Sequence, residues 1–231
     1  MFEGFKARAA LISHQKGEME KAKAGYQELY NAGYIRGSYI LPWSLVLLRE
    51  GGEENYKKVK EILAKAQKAP DMDPAKKSDL LMNFAVADYR LGNVDKALEL
   101  MERNHQNRPC GNTFGALGYM YVDAGLIEKA QEFNAAALEY DDVDPVVLDN
   151  IAQMHYRLLG DKETALEYFT KAHELKPGQI DTLWFLSRYD LENGNTEEAI
   201  NKLEKILEGR FSPLNYVTAD IVQKELDRLR G

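Results

Sequence analysis

Four alanines, Ala97, Ala130, Ala165 and Ala199, stand 33, 35 and 34 residues apart, each just after a turn signal. A period of that size restricts the chain to stacked copies of one small unit, because each unit leaves apolar surface that only a neighbour covers. The unit is clearest between residues 144 and 177. Asp144-Pro145 is a helix start: the Asp side chain caps free N–H groups and Pro has none to lose. Leu148, Ile151, Ala152 and His155 follow at helical spacing, then the turn Gly160-Asp161. Ala165, Phe169 and Ala172 mark a second helix, and Pro177 forbids its continuation. The unit is a helix–turn–helix hairpin. The interval of 35 has a visible cause, an extra residue at Leu158-Leu159 before Gly160.

Taken in order, the chain predicts thirteen helices and no strand. Residues 2–15 carry Phe2, Phe5, Ala9 and Ile12 on one stripe, without an N-cap residue. They read as a helix cut from something longer, or as one whose two Phe pack on the next helix, which holds Ala22, Tyr26 and Leu29. Residues 35–50 are the most apolar; interrupted by Pro42 and too short for a membrane span, they read as a buried helix. Val59, Leu63 and Ala66 return from it to Pro70. Asp73-Pro74 opens a longer helix, and its partner stops at Pro109. Asn112 is the expected cap of the following helix, and Ser212-Pro213 the expected start of a polar last helix to Arg230. The upstream equivalents of the period, Ala22 and Val59, sit at looser spacings of 37 and 38.

These residues resemble the tetratricopeptide repeat family. The fourth hairpin reads Phe114-x2-Leu117-Gly118-x2-Tyr121 with Ala130, and the fifth reads Ala165-x3-Phe169-x2-Ala172 with Pro177. The third keeps Ala97 and Pro109, and the sixth Ala199 and Leu203. The second departs most, around Pro42 and Gly51-Gly52. The resemblance implies an all-α, right-handed superhelical solenoid spanning residues 1–231. Its hairpins would fall at about 2–33, 35–70, 74–109, 111–142, 144–177 and 179–209, with a capping helix at 213–230. Gly118, Ala152, Ala85 and Ser187 would let paired helices approach closely, and Tyr121, Phe169 and Leu203 would fill the space toward the next hairpin.

The resemblance also implies a function. First helices of such hairpins line a concave face that takes a peptide or partner segment, which makes the expected role a non-enzymatic protein-interaction scaffold. The residues beside the packing face are Met82, Asn83, Tyr89, Arg90, Tyr119, Asp149, Asn150, Gln153, Tyr156, Arg157, Trp184 and Arg188. Aromatics and Arg supply anchoring area, and Asn can bond both groups of an extended backbone. Asn83 and Asn150 match the position where the family often carries an Asn on ligand backbone. The family's clamp for chaperone C-termini is not assembled, since Met82, Val86, Asn112 and Ala116 stand at its positions.

Other classes find little support. A net charge of −7 lacks the basic footprint of a nucleic-acid binder. One cysteine, Cys110, excludes an internal disulfide and a multi-cysteine metal site. His14, His105, His155 and His173 show no ligand spacing, and no catalytic or cofactor motif appears. Neither cofactor nor metal is expected. The expected location is cytoplasmic, with no membrane insertion by this segment. Two alternatives accompany the main reading: the repeat segment of a longer membrane-anchored or enzymatic protein, and a self-associating assembly module.

Overall fold

The computed structural model describes residues 2–231, and among them only helices are found: thirteen α-helices and one π-helical turn. They divide into two units, Met1–Asn104 and His105–Gly231.

In the first unit, α1 (Phe2–Gln15) pairs with α2 (Met19–Asn31), and α3 (Gly37–Glu50) with α4 (Glu53–Ala66). Helix α5 (Pro74–Arg90) packs on both α3 and α4. Helix α6 (Val94–Asn107) contains the division between units. The expected core stripe of α1 is wrong. Phe2, Phe5, Ala9 and Ile12 are exposed, while Ala7, Ala10 and Ser13 are buried. The cause is proximity: a Cβ on Gly25 of α2 would stand 2.9 Å from the Ala10 Cβ, so only small residues fit that seam. The Phe side chains are left outside.

Helix α3 is the buried helix the apolar run predicts, and it continues through Pro42. Pro42 forgoes one backbone donor, but the helix is held from both sides. At its start, the Gly37 and Ser38 N–H groups donate to the Asp71 carboxylate at 2.8 and 2.9 Å. Along its length, Tyr39 stacks on Tyr26 at 5.8 Å, and Trp43 meets Tyr30 edge-on at 5.8 Å. Tyr39 and Trp43 of the second hairpin thus meet Tyr26 and Tyr30 of the first.

The second unit repeats a simpler scheme. Helices α7 (Gly111–Asp123) and α8 (Ile127–Tyr140) pair, and α9 (Pro145–Met154) packs on both. Helix α9 pairs with α10 (Lys162–Leu175), α10 packs on α11 (Ile180–Glu192), and α11 pairs with α12 (Thr196–Leu207). Helix α13 (Ala219–Arg230) closes the stack against α12. Asp144 caps α9 by accepting from the Val146 N–H at 2.8 Å. Gly160 takes the left-handed conformation (φ +68°) that the turn before α10 needs.

The extra residue before Gly160 has a structural counterpart. Residues His155–Leu159 form a single π-helical turn continuing α9, the usual way a helix absorbs one inserted residue. The period of 35 therefore leaves the packing of α9 on α10 intact. Phe169, fully buried, stacks on Phe185 of the following hairpin at 5.0 Å.

Two helix starts differ from expectation. Helix α7 begins at Gly111 with Cys110 as its N-cap residue, not Asn112, and the Thr113 hydroxyl accepts from the Cys110 N–H at 3.1 Å. Helix α13 begins at Ala219, capped by Thr218, six residues beyond Pro213. Only Val222 and Leu226 of α13 are buried, so its apolar stripe starts too late to hold residues 212–217 in a helix.

Gly118 of α7 tests the close-packing argument. A Cβ there would fall within contact distance of Asn134 Oδ1 and stand 3.1 Å from Asn150 Nδ2. Asn134 is fully buried, so it has little room to yield. In an open helix Gly→Ala stabilises by about 1 kcal/mol. Here Gly118→Ala is expected to reverse sign and destabilise by about 1–3 kcal/mol, the range for overpacking, read as a lower midpoint in chemical denaturation.

Candidate partner-binding face

The candidate residues lie on the first helices of the hairpins, and each unit carries its own set. In the first unit, α5 holds Met82 and Arg90 half-buried, with Asn83 and Tyr89 buried. The Asn83 amide donates to Ser44 Oγ of α3 at 3.0 Å, linking consecutive first helices. An open groove of about 780 Å³ lies elsewhere in this unit, floored by Trp43 and Leu47 between α2 and α4. Of its charges, Lys23 is paired with Glu20 and Glu50, and Lys58 with Glu61.

In the second unit the face is more enclosed. Residues 113–122 of α7, Tyr119 among them, are all buried, as are residues 147–154 of α9. A helix apolar on every side is a buried helix, and the polar residues of α9 are drawn in with it. The Asn150 amide donates to the Gly115 carbonyl at 2.9 Å. The Asp149 carboxylate accepts from Thr182 Oγ1 at 2.5 Å and from Gln153 Nε2 at 2.7 Å. Gln153 Oε1 accepts from Arg157 Nη1 at 3.0 Å, and Arg157 Nη2 donates to Asp123 at 2.8 Å. One polar network thus runs from α11 through α9 to α7. It orders the face and holds the Arg157 guanidinium in a fixed plane.

Beside the network lies an aromatic patch. Tyr156, half-buried, contacts Phe185 and Tyr189 with centroids 5.0 and 5.7 Å away. Trp184 lies 4.2 Å beneath the Arg188 guanidinium, which bonds Glu225 of α13 at 2.5 Å. Hydrogen bonds from Arg228, and then Arg188, outweigh burial and hold the Glu225 carboxyl down at about 2. Trp184 and Arg188, both half-buried, therefore tie the cap helix to α11.

Three residues of the face are absent from the expected set: Asp181, Phe185 and Tyr216. The Asp181 carboxylate is buried at the start of α11 and accepts from the Tyr216 N–H at 3.0 Å, the Val217 N–H at 3.4 Å and the Asn215 amide at 3.0 Å. The Tyr216 ring stacks on Phe185 at 5.1 Å, with the Arg157 guanidinium 4.2 Å from its centroid. The segment between α12 and α13 thus lies across the first helices as a strap.

Stacked helix pairs with close-packed small residues find their parallels among solved structures. A thermophilic tetratricopeptide-repeat protein from Thermus thermophilus matches with a TM-score of 0.65 over 84% of this chain and 98% of its own, at 17% identity. The pilF protein of Pseudomonas aeruginosa matches at 0.60 over 96% and 97%, with 15% identity. YrrB, described as a tetratricopeptide-repeat protein with an unusual peptide-binding site, matches at 0.53 over 77% and 88%, with 21% identity. The chain has the tetratricopeptide-repeat fold. No family model matches the sequence, and neither does any curated protein. At these identities the likeness establishes the architecture alone. Among the described residues, no helix of the repeat array is long and apolar enough to cross a membrane.

The strap escapes sequence reading because Ser212-Pro213 is a valid helix start, and Asn215-Tyr216-Val217 carries no period of its own. The one available signal was the first apolar pair of the last helix, Val222 and Leu226, which places that helix later. Asp181 escapes because an acidic residue in a first helical turn ordinarily faces water. Here burial first, and then the charge of nearby Asp149, push its carboxyl up to about 7, against hydrogen bonds from Asn215, Tyr216 and Val217.

A raised carboxyl has a defined effect on stability. Between its ordinary value of 3.8 and about 7 the folded chain keeps a proton that the unfolded chain has lost. The stability Asp181 contributes therefore falls as pH rises through that window. Thermal melts of Asp181→Asn and the unaltered chain at pH 5 and pH 7.5 check this. The unaltered chain should lose more stability on going to pH 7.5 than the variant does.

Proposed function

We propose that this chain is a non-catalytic protein-interaction scaffold that takes an extended partner segment along the first-helix face of its repeats. The observation that carries the reading is the half-buried Trp184–Arg188 stack, whose Trp184 packs with half-buried Tyr156 against one core cluster. Aromatic and Arg side chains on a rigid, partly desolvated surface are the residue types that dominate binding energy at protein interfaces. Met82 and Arg90 offer a smaller set on α5. Asn83 and Tyr89 in the first unit, and Tyr119, Asp149, Asn150 and Gln153 in the second, frame the face of their own unit: their buried side chains fix where its half-buried ones stand. A peptide-binding site described for YrrB, of the same fold, agrees with this use of the architecture.

The test needs a partner isolated from the source cell and its affinity measured against variants. Trp184→Ala and Met82→Ala, each verified as folded by circular dichroism, should weaken a partner bound on their own face at least tenfold, about 1.4 kcal/mol. Lys171→Ala, on the exposed side of α10, should leave affinity unchanged. A partner indifferent to both face variants overturns the assignment.

Self-association is a second reading, favoured by the outward stripe of α1. Phe2 and Phe5 are 76% and 73% exposed, with Ile12 on the same side, and an unpartnered apolar stripe of this kind marks a contact surface. Sedimentation velocity decides it. Concentration-dependent dimers that vanish in Phe5→Glu support the reading, and a monomer at all concentrations removes it.

A further inference from the structure

The side chain of Tyr216 and the backbone of Tyr216 are held by different things. The backbone N–H groups of residues 216 and 217 donate to Asp181, and Val217 is buried in the apolar cluster of α11, α12 and α13. A turn closed by the Asn215 N–H on the Ser212 carbonyl at 3.1 Å, and by the Ser212 N–H on Asn215 Oδ1 at 2.6 Å, shapes the rest of the strap. The ring lies on the outside of this anchored backbone, and the residue is 40% exposed. Rotation about χ1 would lift the ring away without breaking any of the backbone bonds.

The walls of the slot under the ring are likewise set without Tyr216. Arg157 is fixed by Gln153 and Asp123 at 3.0 and 2.8 Å. Phe185 is buried, stacked on Phe169 at 5.0 Å with an interplanar angle of 14°, and braced by Tyr156. The slot therefore keeps its shape when the ring leaves. It has one flat apolar wall and one flat cationic wall, a pairing that favours an electron-rich aromatic ring over an aliphatic chain.

We propose that the slot between Arg157 and Phe185 is a recognition subsite for an aromatic side chain of a bound partner segment, and that the Tyr216 ring is its resident occupant. The proposal rests on the scaffold reading above and names the chemistry of one of its anchors. Tyr216 excludes weak aromatic ligands, because a tethered ring competes at an effective concentration on the order of millimolar. A segment gripped elsewhere on the face displaces the ring by supplying one of its own.

The probe is N-acetyl-tyrosinamide, titrated by NMR into the full chain, with N-acetyl-alaninamide as the aliphatic control. Tyr216→Ala keeps every backbone donor to Asp181 and removes only the ring. It should bind the tyrosine probe saturably and at least about twofold more tightly than the unaltered chain, the ratio a millimolar tethered competitor gives against a millimolar ligand, and ignore the alanine probe. Adding Arg157→Lys, which retains the charge but loses the flat face, should reduce that binding several-fold. Equal binding by the unaltered chain and Tyr216→Ala, no saturable binding by a folded Tyr216→Ala, or indifference to Arg157→Lys each overturns the proposal. None of these outcomes bears on the Trp184 and Met82 test, so the subsite can fail while the scaffold reading stands.

Discussion

Close approach of paired helices is the constraint on which this chain depends. Ala22, Ala130, Ala165 and Ala199 are all fully or almost fully buried, each on a return helix that packs on its partner. A side chain of Cβ size at these seams lets the two backbones draw together, and the larger residues are displaced to the seams between hairpins. Phe169 on Phe185 shows the second half of that division. The same constraint explains an oddity of α1: its large apolar residues face outward because the seam against Gly25 admits only Ala7 and Ala10. Size at the seam decides which face is buried, and hydrophobicity is secondary.

Such an array tolerates variation only where the seam is preserved. The extra residue before Gly160 would rotate every later side chain of the helix by about 100° if carried in regular α-helix. Confining it to one π-helical turn keeps Ala152 facing Ala165, and both remain fully buried in one cluster with Phe169. The turn also sets the position of Arg157, which lies within it and reaches Asp123 of the preceding hairpin. Pro42 is a different accommodation. Its helix survives because Asp71 holds the amino end and the Tyr26, Tyr39 and Trp43 rings pack its length.

The architecture was legible in the sequence because its determinants are local and repeated. Ala130, Ala165 and Ala199 keep time, Asp144 caps its helix as expected, and the turn read at Gly160-Asp161 is there, with Asp161 also capping the helix that follows. The failures share a physical origin. The Phe2 stripe has helical spacing but lies on the wrong side of a steric seam that no single helix reveals. Ser212-Pro213 satisfies every local rule for a helix start, yet Asp181, more than thirty residues earlier in the chain, claims the backbone donors of residues 216 and 217. The candidate face was legible as a set of positions. Its division into buried frame and half-buried surface was not, because Asp149, Asn150 and Gln153 of α9 are buried with its apolar residues and nothing in the periodicity of that helix says so.

That division matters for what the face can do. Asp149, Gln153 and Asn150 are polar residues whose bonds are made within the chain, so replacing their partners with water on opening the face would be unfavourable. A frame satisfied internally does not rearrange to meet a ligand, and what it positions is correspondingly rigid. Arg157 illustrates the result: two hydrogen bonds fix its plane, and its guanidinium lies over the Tyr216 ring. Asp181 marks the cost of the same design. A carboxylate buried near a second one is unfavourable when ionised, and three donors from the strap offset part of that penalty. The strap and the buried acid therefore depend on each other, which is why the backbone of residues 215–217 belongs to the permanent structure and only the outward ring of Tyr216 is placed to move.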